Sequence, residues 1–185
     1  MNTGIHKVEF DFFRGYGVAD ARNKIAQATL DGGFDYVLML DSDEVLPKDA
    51  LINLLEDEEN EESPGMVVGY CFSRSGKSAK RTTAFKWGGV DYTPEDAYTT
   101  EELKSLRDNG RYKVQIRGSG LACALIHRSV FERMPYPWFR WVHYENKTQL
   151  SEDLYFCEKF RLIATPIFLD TRVACGHMMR HIEWP

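Results

Sequence analysis

Asp41, Ser42 and Asp43 follow the apolar run Tyr36-Val37-Leu38-Met39-Leu40 directly, and Glu44 comes next. Residues two apart in an extended chain point the same way, so Asp41 and Asp43 can address one divalent cation or one polyphosphate–metal complex. The plainer reading is a turn that caps a helix beginning near Pro47. Gly118-Ser119-Gly120 lets backbone approach a ligand closely, or makes a bulge. Arg74, Lys77, Lys80 and Arg81 sit in a polar loop, either solvated or helping to hold an anion. Gly76-Lys77-Ser78 lacks the glycine a phosphate-binding loop needs five positions earlier, because residue 71 is cysteine. Trp87, Tyr92 and Trp138 are candidate sugar or acceptor contacts: Trp87 and Tyr92 could stack on a sugar face or tuck into the domain, and the aromatic-dense YPWFRWVHY segment that holds Trp138 reads mainly as packing.

The elements that must position these residues alternate. Ile5 to Phe13 partly alternates and predicts a first strand, and Val18 to Leu30 predicts a helix with Val18, Ala21, Ile25, Ala28 and Thr29 on one face. Tyr36 to Leu40, between Gly32-Gly33 and Pro47, predicts a fully buried strand. A helix from Pro47 to about Glu58 and a buried strand from Met66 to Phe72 follow. This strand–helix–strand–helix–strand order predicts an α/β fold with a mostly parallel sheet, whose strand carboxyl ends would present Asp41 and Asp43. Ala84 to Arg117 predicts hairpins plus a helix over Thr99 to Asn109. Strands are expected at Val114–Ile116 and Leu121–Ile126, then a short helix at Arg128–Arg133. Ser151 opens an amphipathic helix through Ile163, and Ile167–Leu169 and Arg172–Cys175 read as two closing strands.

With 185 residues, 43% of them hydrophobic, one domain with a sizeable core is expected over residues 1–185. No apolar run is long enough to span a bilayer and no secretory signal is recognisable, so a cytoplasmic location is expected. The net charge of −5 disfavours a nucleic-acid partner. Much of the excess acid lies in Glu56 to Glu62, read as a solvated helix end and loop. Cys71, Cys123, Cys157 and Cys175 are far apart without a Cys-x-x-Cys pair, which fits buried free thiols better than disulfides or zinc.

Taken in order, Ala21-Arg22-Asn23, Asp41-Ser42-Asp43, Gly118-Ser119-Gly120, Ser151-Glu152-Asp153 and Gly176-His177 resemble the motifs of the family 2-type glycosyltransferases of the GT-A fold. The resemblance runs from about Val8 to His177, with a donor and metal half over residues 5–83 and an acceptor half over 84–185. The family normally begins with an extra strand and helix that help hold the nucleotide base. These are not matched, so an N-terminally abbreviated, Rossmann-like sheet is expected. Ile5 to Phe13 would then be an exposed strand covered by Met1–Gly4, by 84–117 or by a second copy in a homo-oligomer.

The resemblance implies a metal-dependent, inverting transfer of a sugar from a nucleotide-sugar donor, UDP-linked in the first instance, to a hydroxyl acceptor. It places Arg22, Asp41, Ser42, Asp43 and Gly118-Ser119-Gly120 on the donor, and Asp43, His177 and Asp41 on the metal. Oxygen ligands plus one imidazole suit Mn²⁺, with Mg²⁺ as a substitute. Asp153 would be the catalytic base with Glu152 beside it, although both acids would also complement a helix N-terminus by about 0.3–1 kcal/mol each. His177 could equally be an ordinary partly buried histidine, and His181, without the metalloprotease glutamate, makes no zinc signature. A sugar nucleotidyltransferase would want a glycine-rich basic N-terminal loop that is not seen. A non-catalytic or partial sugar-binding domain remains the other alternative.

Overall fold

The computed structural model describes residues 7–59, 64–72, 81–89, 92–144, 149–178 and 182–183. Arg74, Lys77, Lys80 and His181 therefore lie outside the described residues, as does the Met1–Gly4 tail.

Helix α1 (Val18–Asp31) starts after Gly17 and ends at Gly32-Gly33, where Gly33 takes a left-handed φ of 68°. Its buried residues are Arg22, Asn23, Ala26 and Thr29, while Val18 and Ala28 are exposed. The inward stripe is thus rotated by about one position from the expected apolar face. Two polar side chains sit inside because each has partners there. Asn23 donates to the carbonyls of Ala19 and Phe139 at 2.9 and 2.8 Å, and its oxygen accepts from the amides of Trp138 and Phe139.

Strand β1 (Tyr36–Leu40) leads through the acidic turn to β2 (Glu44–Val45) and helix α2 (Ala50–Glu59). Strands β3 (Met66–Tyr70), β4 (Arg81–Lys86) and β5 (Ala97–Thr99) precede α3 (Thr100–Asp108), which Thr99 and Glu102 start with a reciprocal capping box. Then come β6 (Lys113–Ser119), β7 (Cys123–His127), α4 (Arg128–Arg133) and the small pair β8 (Val142–His143) and β9 (Gln149–Leu150). Helix α5 (Glu152–Lys159) runs on as a 3₁₀ turn over Phe160–Ile163. The described chain closes with β10 (Ile167–Ala174), β11 (Gly176–Met178) and β12 (Ile182–Glu183).

The main sheet has seven strands in the order β1-β7-β3-β10-β6-β4-β5. Only the β3/β10 pair is parallel; its other neighbours are antiparallel. The fold class is α/β, but the expected mostly parallel sheet is corrected to a mixed, mainly antiparallel one. The reason is that β7 inserts, antiparallel, between β1 and β3, which the alternating pattern would have made direct neighbours. β1, β3 and β10 nevertheless run the same way, so their carboxyl ends share one rim. The expected first strand is also corrected: residues 7–13 join no described strand, and Phe10 and Phe12 are exposed. The two expected closing strands are one, β10, with a break in its pairing to β3 between Leu169 and Ala174.

Both sheet faces are covered. Along β3, Met66, Val68 and Tyr70 enter a core shared with Ala26 of α1, Phe131 of α4 and Phe156 of α5. Val67 and the following Cys71 enter a second core with Ala50 and Leu54 of α2. A continuous apolar run therefore serves two faces at the two-residue period of a strand.

Candidate functional site

Asp41, Ser42 and Asp43 emerge where β1 ends, with the Asp41 amide bonded to the carbonyl of Ala122 at 3.0 Å. The chain then forms β2, which pairs antiparallel with β11 so that Glu44 lies opposite His177 and Val45 opposite Gly176. The Met178 amide bonds to the Asp43 carbonyl at 2.7 Å, which ties the last turn of the site to the first. Residues 133 positions apart are thereby held in one register.

His177 Nδ1 lies 2.7 Å from Glu44 Oε1, and Nε2 lies 3.5 Å from Asp43 Oδ2. Asp43, Glu44 and His177 are close enough to share one ion. Glu44 and His177 are buried, whereas the Asp43 side chain is 39% exposed and faces solvent at the rim. Glu44 Oε2 is buried with no hydrogen-bond partner among the described residues. Asp41 is placed differently: its Oδ1 receives Arg22 at 3.3 Å, and Glu44 takes its place in the trio. Sequence reasoning missed Glu44. The signal was its position directly after Asp43, but an alternating extended chain would have turned it away from Asp41 and Asp43.

Arg22 is the second organising side chain. It is buried, and its other terminal nitrogen donates to Glu152 Oε1 at 2.7 Å. One guanidinium thus joins α1, the end of β1 and the first turn of α5. Glu152 is buried with Oε2 unpartnered among the described residues, and burial, then the neighbouring Asp153, raise its pKa. That enclosure makes Glu152 an anchor for Arg22 rather than a group facing solvent.

Asp153 is partly exposed. Its Oδ1 accepts from the Ser151 hydroxyl and from the Leu154 amide, the latter at 2.8 Å. Its Oδ2 points toward Gly120, where an added Cβ would lie only 3.5 Å away. Gly120 therefore keeps clear the space beside that oxygen. Gly118 does a different job, since a Cβ there would meet the Cβ of Cys157 at 2.9 Å. Gly118 and Ser119 belong to β6 and pack under α5; Ser119 is buried, its hydroxyl unpartnered among the described residues. Ser42 is exposed at the rim.

The aromatic candidates separate. Trp138 is a core residue whose indole donates to the carbonyls of Phe131 and Met134, both at 3.0 Å. Tyr92 is committed to Glu158 at 2.7 Å and lies under the Arg117 guanidinium, so its hydroxyl is occupied. Both are corrected from sugar contacts to packing. Trp87 is exposed on the connection after β4. Three of the four free thiols are held protonated: burial pushes Cys71 and Cys157 up to about 12, and Cys175 is raised by its hydrogen bond with Cys123 and by burial.

No family model matches this sequence, and no curated protein does. Among solved structures the chain is similar to A197 from STIV, with a TM-score of 0.60 and 19% identity over 90% of this chain and 70% of that one. At that identity the likeness concerns the fold.

Proposed function

We propose that this chain is a metal-dependent, inverting glycosyltransferase that moves a sugar from a nucleotide-sugar donor to a hydroxyl acceptor. The observation that carries the reading is the meeting of Asp43 and His177 at the carboxyl ends of β1 and β10, beside the Arg22 clamp that leads to Asp153. Ligands of open α/β sheets bind at such a rim.

The residues present fit a divalent cation. Carboxylate oxygens with one imidazole suit Mn²⁺ or Mg²⁺, and Asp43, Glu44 and His177 offer that donor set with the Asp43 carboxylate open to solvent beside Nε2. Asp43 and His177 would hold the ion, which when bound supplies Lewis-acid stabilisation of a departing pyrophosphate. Asp41 and Arg22 line the path from there to α5. Asp153, with Oδ1 held by Ser151 and its own helix turn, directs Oδ2 toward the gap beside Gly120. In that position it can take the proton of an acceptor hydroxyl. A single displacement inverts the anomeric centre. Trp87 is the exposed ring left to contact a sugar face.

The second reading is a non-catalytic sugar-nucleotide binding domain, favoured by the bonds of Asp153 Oδ1 at the start of α5, which suit a helix cap as well as a base. Titrating UDP-, GDP- and dTDP-sugars with Mn²⁺ while following Tm, and measuring donor hydrolysis alongside, separates the two. Ligand binding to the native state raises Tm by mass action. A Tm rise with slow hydrolysis is expected; a rise with none supports the binding domain, and no rise with any donor removes both.

A further inference from the structure

Among the described residues, Glu44 has a place that neither the acidic rim nor a simple salt bridge explains. It is 8% exposed, stands opposite His177 in the β2/β11 register, and puts Oε1 2.7 Å from Nδ1. Ring nitrogen Nε2 faces the other way, toward Asp43 Oδ2. A carboxylate only accepts hydrogen bonds, so it selects the imidazole with its proton on Nδ1. That tautomer leaves the Nε2 lone pair on the side of the exposed aspartate. Metal-bound histidines use the same device, donating the far N–H to a carboxylate that fixes ring and tautomer.

We infer that Glu44 is a positioning residue: it fixes the Nδ1–H tautomer of His177 and aims Nε2 at a divalent cation shared with Asp43. The inference rests on the metal site proposed above, and deepens it by assigning Glu44 to the far side of the ring from the ion. The backbone supports this assignment independently. The β2/β11 pairing and the bond from Met178 to the Asp43 carbonyl fix Glu44 and His177 relative to each other. The fourth corner is the Cys71 thiol, which lies against Glu44 and is raised partly by that carboxylate. Cys71, Cys123 and Cys175, all buried, line a small space together with Glu44.

Imidazole ¹⁵N spectra of the metal-free chain, with Mn²⁺ affinity by calorimetry, test the inference. The wild type is expected to show His177 protonated on Nδ1. Glu44→Ala should mix the tautomers and weaken Mn²⁺ about 10–100-fold, the usual effect of losing such a partner. Glu44→Gln keeps the volume and a weaker acceptor, and should lose several-fold. In a His177→Ala background, Glu44→Ala should add no further loss. If Glu44→Ala does not fold, Glu44→Gln decides alone. Unchanged ring resonances and unchanged Mn²⁺ affinity in the folded variants would overturn the inference, as would additive losses with His177→Ala. A wild-type chain that binds no Mn²⁺ would instead overturn the metal reading, while the metal-free spectra still report whether Glu44 orients the ring.

Discussion

Asp43 and Asp153 make separable demands on the chemistry. Asp43 is the solvent-facing carboxylate beside His177 Nε2, so Asp43→Ala is expected to abolish Mn²⁺-dependent donor binding, read by calorimetry. In the proposed reaction Asp153, on the other side of the Arg22 clamp, would act on a proton, so Asp153→Asn is expected to keep donor affinity. It should lose transfer by about 10²–10⁴, the usual share of a general base. Full transfer by Asp153→Asn would require another base. Sequence reasoning singled out both residues because each stands at a strand or helix end in a recognisable short motif. It could not find Glu44, because its role depends on a partner 133 positions away. It also overvalued Trp138 and Tyr92, since an aromatic residue carries the same letter whether its polar atom faces a ligand or a backbone carbonyl.

The elements were unevenly legible for a physical reason. Helices α1 to α5 were readable because apolar spacing, glycine and proline breaks and, for α3, a cap are local signals. The Thr99–Glu102 capping box is an example. Strand pairing is not local. Nothing in Leu121 to Ile126 says that β7 will lie between β1 and β3, and β2 is too short to carry a pattern. The Gly-Ser-Gly step shows how one motif divides between elements. Gly118→Ala would push a Cβ to 2.9 Å from the Cβ of Cys157 in α5, a backbone-anchored neighbour that cannot rotate away. A loss of about 1–3 kcal/mol is expected from such overpacking, visible as a lower denaturation midpoint. Gly120→Ala meets the Thr83 Cβ at a slightly tight 3.3 Å and Asp153 Oδ2 at an ordinary 3.5 Å, so it should lower the midpoint less than Gly118→Ala does, and its methyl beside Oδ2 should reduce transfer. Equal stability losses at the two glycines would show that both are packing residues.

At the scale of the whole molecule, a charged cluster ties α2, β6 and β10 together. Arg172 grips the fully buried Asp170 through both carboxylate oxygens and also reaches Glu56 and Asp57 at 3.0 and 3.3 Å. Lys113, at the start of β6, donates to the Asp57 carbonyl at 2.5 Å. Three carboxylates therefore share one guanidinium and one nearby ammonium. Burial first, then repulsion from Asp170, raise Asp57 from its ordinary value of 3.8 to about 6, against the pull of Arg172 and Lys113. The folded protein thus holds this proton more tightly than the unfolded chain. Its stabilising contribution is fully present below pH 3.8 and is lost as pH rises through about 6. Above that range Asp57 is a buried charge with one oxygen unpartnered among the described residues. Asp57→Asn removes the titration and keeps an oxygen for Arg172. The variant is expected to be at least as stable as the wild type at pH 7.5, and to lose ground to it as pH falls from about 6 toward 4. Thermal denaturation of both proteins across that range reads the difference directly. A constant gap between them would mean that Asp57 titrates alike in the folded and unfolded chain, with Arg172 and Lys113 compensating fully for its burial.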